Sequence, residues 1–231
     1  MRASWVRTRR LPLATVALFW GCGPAPAAAP GPEVDGTQIA DALENETQLL
    51  HPTRVVFDWK INESGARFEG RGVARMEPHY KARLDLFLQN GEPVVSAALV
   101  EDELSLPGTA PPGLIPPPPL LWASLGVFRP GTGAELLGGE ELGEDRLRIR
   151  YEIANGRELH YEVEAGRIVK AELLDGEEVS EIMELDRGPL GAALPTRALY
   201  RNIAAFRELD VKATESDRVD SFPPEIWSFE R

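Results

Sequence analysis

Hydrophobic and polar residues alternate at every second position over most of the chain after residue 52. Phe57, Trp59 and Ile61, for example, alternate with charged or polar neighbours. Because successive side chains of a β-strand point to opposite faces, this period predicts strands with one apolar and one solvated face. A meander of about nine to eleven antiparallel strands is therefore expected. The predicted strands lie within residues 57–62, 67–76, 80–88, 93–100, 104–106, 146–153, 158–164, 167–174, 178–186, 196–202 and 208–214.

Two-residue turn signals separate several of these strands. Asn90-Gly91, Asn155-Gly156 and Asp175-Gly176 each lie between two predicted strands, of which residues 93–100 are apolar on both faces. Such pairs favour the left-handed backbone conformations of tight hairpin turns. They support an antiparallel arrangement of the strands on either side.

One segment before the strands shows a helical period. Within residues 36–51, Ile39 and Leu43 fall near one face, Thr37 can cap the first turn and Pro52 ends the pattern. This segment is predicted to be the first helix.

A second departure from alternation lies in the middle of the chain. Residues 107–119 are rich in proline, and residues 120–128 are apolar on most sides of a short predicted helix. This segment is either a connecting loop with a core helix or a lid that closes the open side of a curved sheet. The lid would present Leu121, Trp122, Leu125 and Phe128.

Two short helices give little cover for so many one-faced strands. The sheet must therefore close as a barrel, fold as a sandwich or curl into a half-barrel around an apolar hollow. A hollow would suit a hydrophobic ligand, whereas a filled interior would make these residues an ordinary core. The residues predicted to line the hollow are Phe57, Trp59, Phe68, Leu84, Leu86, Leu147, Ile149, Tyr151 and Tyr161.

The N-terminus predicts export and lipidation. Residues 1–21 contain four arginines and then an apolar run that is far shorter than the roughly 20 residues of a membrane span, as in a signal peptide. Gly21-Cys22 after this run resembles a bacterial lipobox, so Cys22 is expected to carry the lipid anchor. The alternative is ordinary signal-peptide cleavage between Ala25 and Ala29.

The rest of the chain divides into a tether and one domain. Residues 22–34 begin with the anchor and continue through alanine and proline as a stiff, solvated linker. Residues 35–231 are long enough for a single core. Near the end, Phe222, Ile226 and Trp227 are expected to dock on this domain.

The charge and the cysteine content limit the classes of molecule that the protein can bind and the covalent links that it can form. The chain carries a net charge of −12, and loss of residues 1–21 leaves 21 basic against 37 acidic residues, about −16. Such a domain would be repelled by nucleic acid and by anionic lipid head groups. Cys22 is the single cysteine, so no disulfide forms within the chain.

Recognisable catalytic chemistry is missing from the sequence. The three histidines, His51, His79 and His160, have no metal-ligand spacing, and neither HExxH nor GxSxG occurs. The acidic clusters at 101–103 and 140–145 lack the ligand spacing of a calcium loop and are interpreted as solvated turn charge. No metal, cofactor or catalytic residue is therefore predicted, and the chain is not expected to be an enzyme. An enzyme would require polar groups that converge in the hollow.

Three strand segments carry a family resemblance. After the first helix, Val55-Val56-Phe57-Asp58-Trp59-Lys60, then residues 68–75 (FEGRGVAR) and residues 83–87 (RLDLF), resemble the lipoprotein localisation factor superfamily, the LolA/LolB-like domains. The resemblance covers most of residues 37–215. It implies a mainly β fold in which a curved antiparallel sheet of about eleven strands forms an open half-barrel, covered by short helices and holding acyl chains. The proline run at 107–119 departs from the receptor of this family, and Leu114-Ile115 is the nearest candidate for that receptor's membrane-inserting tip.

The sequence is compatible with two functions. The chain is expected to be a lipid-anchored envelope lipoprotein that binds a lipid or acyl chain, with a role in lipid or lipoprotein transfer. The alternative is a non-catalytic scaffold with a filled core that holds another envelope protein. Gly23, in place of the aspartate associated with inner-membrane retention, favours the outer membrane facing the periplasm.

Overall fold

Thirteen antiparallel strands form one continuous sheet in this computed structural model. The model describes residues 31–108, 110, 113–143, 145–186, 188 and 194–229. The predicted signal peptide, Cys22 and most of the tether therefore lie outside the described residues. The strands are β1 (Glu33–Val34), β2 (Thr53–Glu63), β3 (Ala66–Glu77), β4 (Lys81–Leu88), β5 (Pro93–Val100), β6 (Glu103–Ser105), β7 (Glu135–Gly143), β8 (Arg146–Ile153), β9 (Arg157–Glu164), β10 (Arg167–Asp175), β11 (Glu178–Asp186), β12 (Arg197–Asn202) and β13 (Arg207–Arg218).

The sheet consists of two meanders joined in its middle. Its order is β1-β7-β8-β9-β10-β11-β12-β13-β2-β3-β4-β5-β6, so β13 pairs with β2 although the two strands are far apart in sequence. This pairing runs from Arg207 opposite Glu63 to Arg218 opposite Thr53. The edge strands β1 and β6 do not pair with each other in the described part of the chain. The result is the open half-barrel that the sequence predicts.

Two of the strands were not predicted. β1 has only two residues, and β7 contains Gly138 and Gly139 and is interrupted by two register shifts against β8, so neither shows alternation. The interpretation of the 140–145 cluster as solvated charge is wrong for Glu140. Its side chain is 11% exposed and accepts a hydrogen bond from Arg148 Nη1 at 3.1 Å.

Both helices are shorter than predicted. α1 (Gly36–Thr47) is capped by Asp35, not Thr37, because the Asp35 carboxylate accepts from the backbone N–H groups of Thr37 and Gln38. α2 (Pro118–Ser124) begins inside the proline run, since proline is compatible with the first turn of a helix. Neither helix is long and apolar enough to cross a membrane, among the residues described.

The C-terminal segment packs on the convex face of β4 and β5, as predicted. Trp227 is 8% exposed and makes an edge-to-face contact with Phe222, with ring centroids 5.8 Å apart. Arg83 Nη1 donates to the carbonyl oxygen of Ile226 at 2.8 Å. This docking leaves the concave face to be covered by the helices.

Large apolar side chains meet on the concave face under α1 and α2. α1 packs against β7, β8 and β10, and α2 packs against β10 and β11. The largest fully buried side chains are Trp59, Trp122, Tyr161, Tyr200, Phe128, Leu43, Met76, Leu86, Leu99, Leu120, Leu121 and Ile149.

Candidate functional site

The chain crosses the concave face once between the two edges of the sheet. β6 ends at one edge and β7 begins beside the other, so the connection must pass over the hollow. We refer to residues 113–134, which include α2, as the crossover segment. Leu114 and Ile115 are 4% and 5% exposed, so they lie inside and do not form a membrane-inserting tip.

Aromatic side chains fix the crossover segment over the hollow. Trp122 Nε1 donates to the carbonyl oxygen of Glu101 at 2.7 Å, and the Trp122 ring packs edge-on against Tyr80. Phe128 contacts the ring of Tyr161 at a centroid distance of 4.9 Å. Phe128, whose ring centroid also lies 6.1 Å from that of Tyr151, fills the side of the hollow that faces β8 and β9.

An apolar cavity of about 60 Å³ remains between α2 and the middle of the sheet. The hydroxyl of Ser124, one of the few polar groups on its wall, already donates to Leu121 O at 2.7 Å, and the Arg197 guanidinium is paired with Asp210 at 2.7 Å. The cavity therefore offers apolar contact and little hydrogen bonding. It is lined by Val55, Phe57, Ala74, Leu84, Leu86, Ile115, Pro116, Leu121, Ser124, Leu125, Met183, Leu194, Pro195, Arg197, Ala198, Tyr200, Leu209, Val211 and Ala213.

A surface groove of about 500 Å³ continues from this cavity. It opens at the end of the half-barrel where β2 begins and β13 ends. Leu50 lies on its rim with 71% of its surface exposed. The cavity and the groove share Val55, Leu125, Leu194, Pro195 and Ala213. These shared apolar residues form the wall between the solvent-open groove and the cavity at the centre of the sheet.

The predicted lining residues fall into three groups. Five of them, counting the lid, line the cavity: Phe57, Leu84, Leu86, Leu121 and Leu125. The members that pack in the filled part of the core are Trp59, Ile149, Tyr151, Tyr161, Trp122 and Phe128, with Leu147 partly buried beside them.

Phe68 does not lie at the cavity. It is opposite Ile61 near the start of β3, at the end of the sheet away from the groove, and is 53% exposed. Phe68 lies on the face of the sheet that was predicted, but the helices do not extend over that end of the sheet.

The lining residues from β11 to β13, such as Met183, Tyr200 and Leu209, were not predicted from the sequence. Their apolar periodicity was visible, but their position beside Phe57 depends on the pairing of β13 with β2. That pairing joins distant segments and leaves no local signal.

Two phenols of the hollow have raised pKa values. Burial, followed by the charges of Glu44 and Asp41, raises the pKa of Tyr151 to about 12, and burial raises the pKa of Tyr161 well above its usual value. Both phenols are therefore neutral at physiological pH. The described residues also contain no cluster of three or more potential metal-ligating side chains. The arrangement can bind apolar groups by burial.

No family model and no curated protein matches the sequence. Solved structures do match it. A LolA superfamily protein from Nitrosomonas europaea is 14% identical with a TM-score of 0.55, over 85% of this chain and 98% of that one. A putative outer membrane lipoprotein-sorting protein domain from Vibrio parahaemolyticus is 8% identical with a TM-score of 0.55, over 82% and 94% of the two chains. A DUF1329 family protein from Desulfovibrio piger is 9% identical with a TM-score of 0.57, over 84% and 98%.

Identities this low establish the fold alone. Each match spans nearly all of the solved chain and most of this one, so the likeness concerns the whole half-barrel and not a few hairpins. The chain has the LolA-like fold, a mainly β open half-barrel with short helices across its concave face.

Proposed function

We propose that this protein is a membrane-anchored envelope lipoprotein that binds a lipid or acyl chain between its sheet and α2. The observation that carries the proposal is the apolar cavity at Leu84 and Leu86, which shares part of its wall with the solvent-open groove at Leu50. A ligand would bind by burial, which contributes about 0.8 kcal/mol per CH₂ group. The role is passive and includes no covalent step.

Ligand binding requires the crossover segment to move. The cavity measures about 60 Å³, whereas sites for small molecules measure roughly 300–1,000 Å³. The side chains that occupy the remaining space, including Leu121 and Leu125, belong to the crossover segment and not to the sheet. Displacement of α2 would open this space to the groove and let an acyl chain take its place.

The anchor would hold this domain close to a source of lipid. Acylation at Cys22 would exceed the attachment strength of a single chain. The last two residues assigned to the tether, Glu33 and Val34, form β1, so the anchor would lead directly into the sheet. Glu33 of β1 pairs opposite Glu140 of β7 at one edge of the sheet. An outer-membrane anchor facing the periplasm, with transfer of lipid or lipoprotein as the purpose, completes the proposal.

A filled interior favours a second candidate, an envelope scaffold that holds a partner protein. Trp59, Trp122 and Tyr161 are at most 1% exposed, and Phe128 of the crossover segment packs on the ring of Tyr161. A permanently closed hollow would make these residues an ordinary core. The two functions differ in whether the crossover segment ever leaves the sheet.

Titration of the full chain carrying Cys22→Ser with a fluorescent long-chain fatty acid separates the two candidates. Binding that is lost in Leu84→Glu supports the carrier, provided that circular dichroism shows a folded variant. Glu69→Gln, on the exposed convex face of β3, is the control and should bind as the parent does. A folded parent protein that takes up no fatty acid rejects the carrier and leaves the scaffold.

A further inference from the structure

Three hydrogen bonds converge on one carboxylate beside the crossover segment. Asp102 lies in the turn between β5 and β6, outside both strands. Its Oδ1 accepts from Arg129 Nε at 2.8 Å, and its Oδ2 accepts from both the backbone N–H and the hydroxyl of Thr132 at 2.6 Å. Arg129 and Thr132 belong to the part of the crossover segment that follows α2.

Arg129 is held on two further sides. Its guanidinium lies over the ring of Tyr80 at 4.1 Å from the centroid, and its carbonyl oxygen accepts from the hydroxyl of Tyr161 at 3.1 Å. The Arg129 side chain is 17% exposed and that of Asp102 is 28% exposed. The ion pair is therefore partly shielded from water, which strengthens it relative to a surface pair.

The carboxylate of Asp102 is charged at neutral pH. Burial raises the pKa of Asp102, but the hydrogen bonds from Thr132 and Arg129 lower it by more, so it lies below its usual value. Hydrogen bonds to an ionised acceptor are roughly twice as strong as neutral ones. The Asp102 side chain can thus hold the crossover segment without backbone hydrogen bonds between that segment and a strand.

These contacts are at the same end of the half-barrel as the groove. Lys81 pairs with Val100, and Thr53 pairs with Met76, so the β5–β6 turn lies at the end where β2 begins. Gly126 and Val127, just before Arg129, form part of the groove wall. Release of Arg129 would therefore loosen the wall through which a ligand enters.

The other side of α2 has a different kind of attachment. Pro116, Pro117, Pro118 and Pro119 have no backbone N–H to donate, and the Pro117 N-cap position makes no side-chain hydrogen bond. Leu114 and Ile115 hold that side by apolar burial. An acyl chain can replace apolar contacts of this type, whereas it cannot replace the polar contacts of Asp102.

From this asymmetry we propose that Asp102 is the latch of the ligand site: its contacts with Arg129 and Thr132 set the rate at which the crossover segment leaves the sheet, and so the rate of ligand exchange. This inference rests on the proposed carrier function. It assigns regulation of the site to a residue that does not line it.

Asp102→Asn tests the latch in the full chain carrying Cys22→Ser. The variant keeps the side-chain shape but loses the charge, and hydrogen exchange of the amides at 120–128 should become about tenfold faster. Stopped-flow uptake of a fluorescent long-chain fatty acid should accelerate by a similar factor. Asp175→Asn is the matched control, because Asp175 pairs with Arg157 at 2.6 Å on a 60% exposed side chain at the other end of the sheet. It should leave both rates unchanged.

Thr132→Val provides an independent variant in case Asp102→Asn does not fold. It removes only the hydroxyl contact, so both rates should rise by a smaller factor. Unchanged hydrogen exchange of residues 120–128 in a folded Asp102→Asn variant overturns the latch, even if the parent protein binds fatty acid. Faster exchange without any uptake of fatty acid supports the latch and rejects the carrier function.

Discussion

The indole Nε1 of Trp122 donates a hydrogen bond to the backbone carbonyl of Glu101 over 2.7 Å. Trp122 lies at the centre of the crossover segment and is completely buried, whereas Glu101 precedes the latch residue Asp102. One turn of the sheet therefore holds both α2 and the segment that follows it.

Replacement of Trp122 by Phe should loosen the crossover segment specifically. The variant loses the hydrogen bond and part of the ring, at a cost of about 1–3 kcal/mol in the free energy of unfolding, measured by urea denaturation. Trp59→Phe is the matched control, because Trp59 Nε1 donates to Arg71 O at 3.0 Å within the sheet. Both variants should lose stability, but hydrogen exchange at residues 120–128 should rise more in Trp122→Phe. Equal exchange there in both would contradict the role given to Trp122.

Gly72 allows Phe57 to lie flat across the neighbouring strand. A Cβ atom at Gly72 would overlap the Phe57 ring, and Phe57 lines the cavity. We expect Gly72→Ala to destabilise the fold by about 1–3 kcal/mol and to weaken fatty-acid binding, because the ring is pushed toward the cavity. Thermal denaturation and fluorescence titration measure the two effects. Gly108→Ala should change neither, since a Cβ at Gly108 meets open space; an identical loss in both variants would count against this explanation.

Asp85 should make the stability of the sheet depend on acidic pH. Burial raises the pKa of Asp85. Hydrogen bonds from Arg83 and Ser96 and the charge of Arg75 lower this pKa by more than burial raises it, so the net shift is downward. A carboxylate with a lowered folded-state pKa stabilises the protein above the unfolded-state pKa of about 3.9 and loses this contribution as the pH falls.

Asp85→Asn should therefore cost about 1.5–3 kcal/mol at pH 7 and progressively less below about pH 4. Urea denaturation of both proteins across this range is the measurement. Asp58→Asn is the control, because the Asp58–Arg71 pair is exposed and its atoms are 3.6 Å apart. A difference between parent and Asp85→Asn that stays constant down to pH 3 would show that Asp85 does not act through its charge.

If Cys22 is acylated as proposed, the mature chain should be attached to a membrane. In a bacterial host, the full chain should fractionate with membranes and carry acylated Cys22 as its first residue, as measured by intact mass and by labelling with palmitate. Cys22→Ser should abolish the label and release the protein from the membrane. An unlabelled wild-type chain that begins between residues 26 and 30 would instead indicate ordinary signal-peptide cleavage.

Much of the fold was predictable because most strands have one buried and one solvated face. Phe57, Trp59 and Ile61 are all at most 5% exposed, as their alternation indicates. β7 escaped prediction because its glycines and register shifts remove the period. Within β7, the burial of Glu140 depends on Arg148 in the neighbouring strand, which no local pattern reveals.

The candidate site was less predictable than the fold. Phe57, Leu84 and Leu86 were identified because they lie on the apolar faces of β2 and β4, the two strands that flank β3. Their neighbours from β11 to β13 required the long-range pairing with β2. The role of Asp102 depends on Thr132 and Arg129, which meet it only after the crossover segment has folded over the sheet.

Native mass spectrometry of the full chain carrying Cys22→Ser, purified without detergent and followed by lipid extraction, tests the carrier function most directly. A fraction of the protein is expected to carry one bound lipid or fatty acid. That mass should be reduced in a folded Leu84→Glu variant. A parent protein that remains ligand-free and takes up no added fatty acid would contradict the carrier function and favour the scaffold.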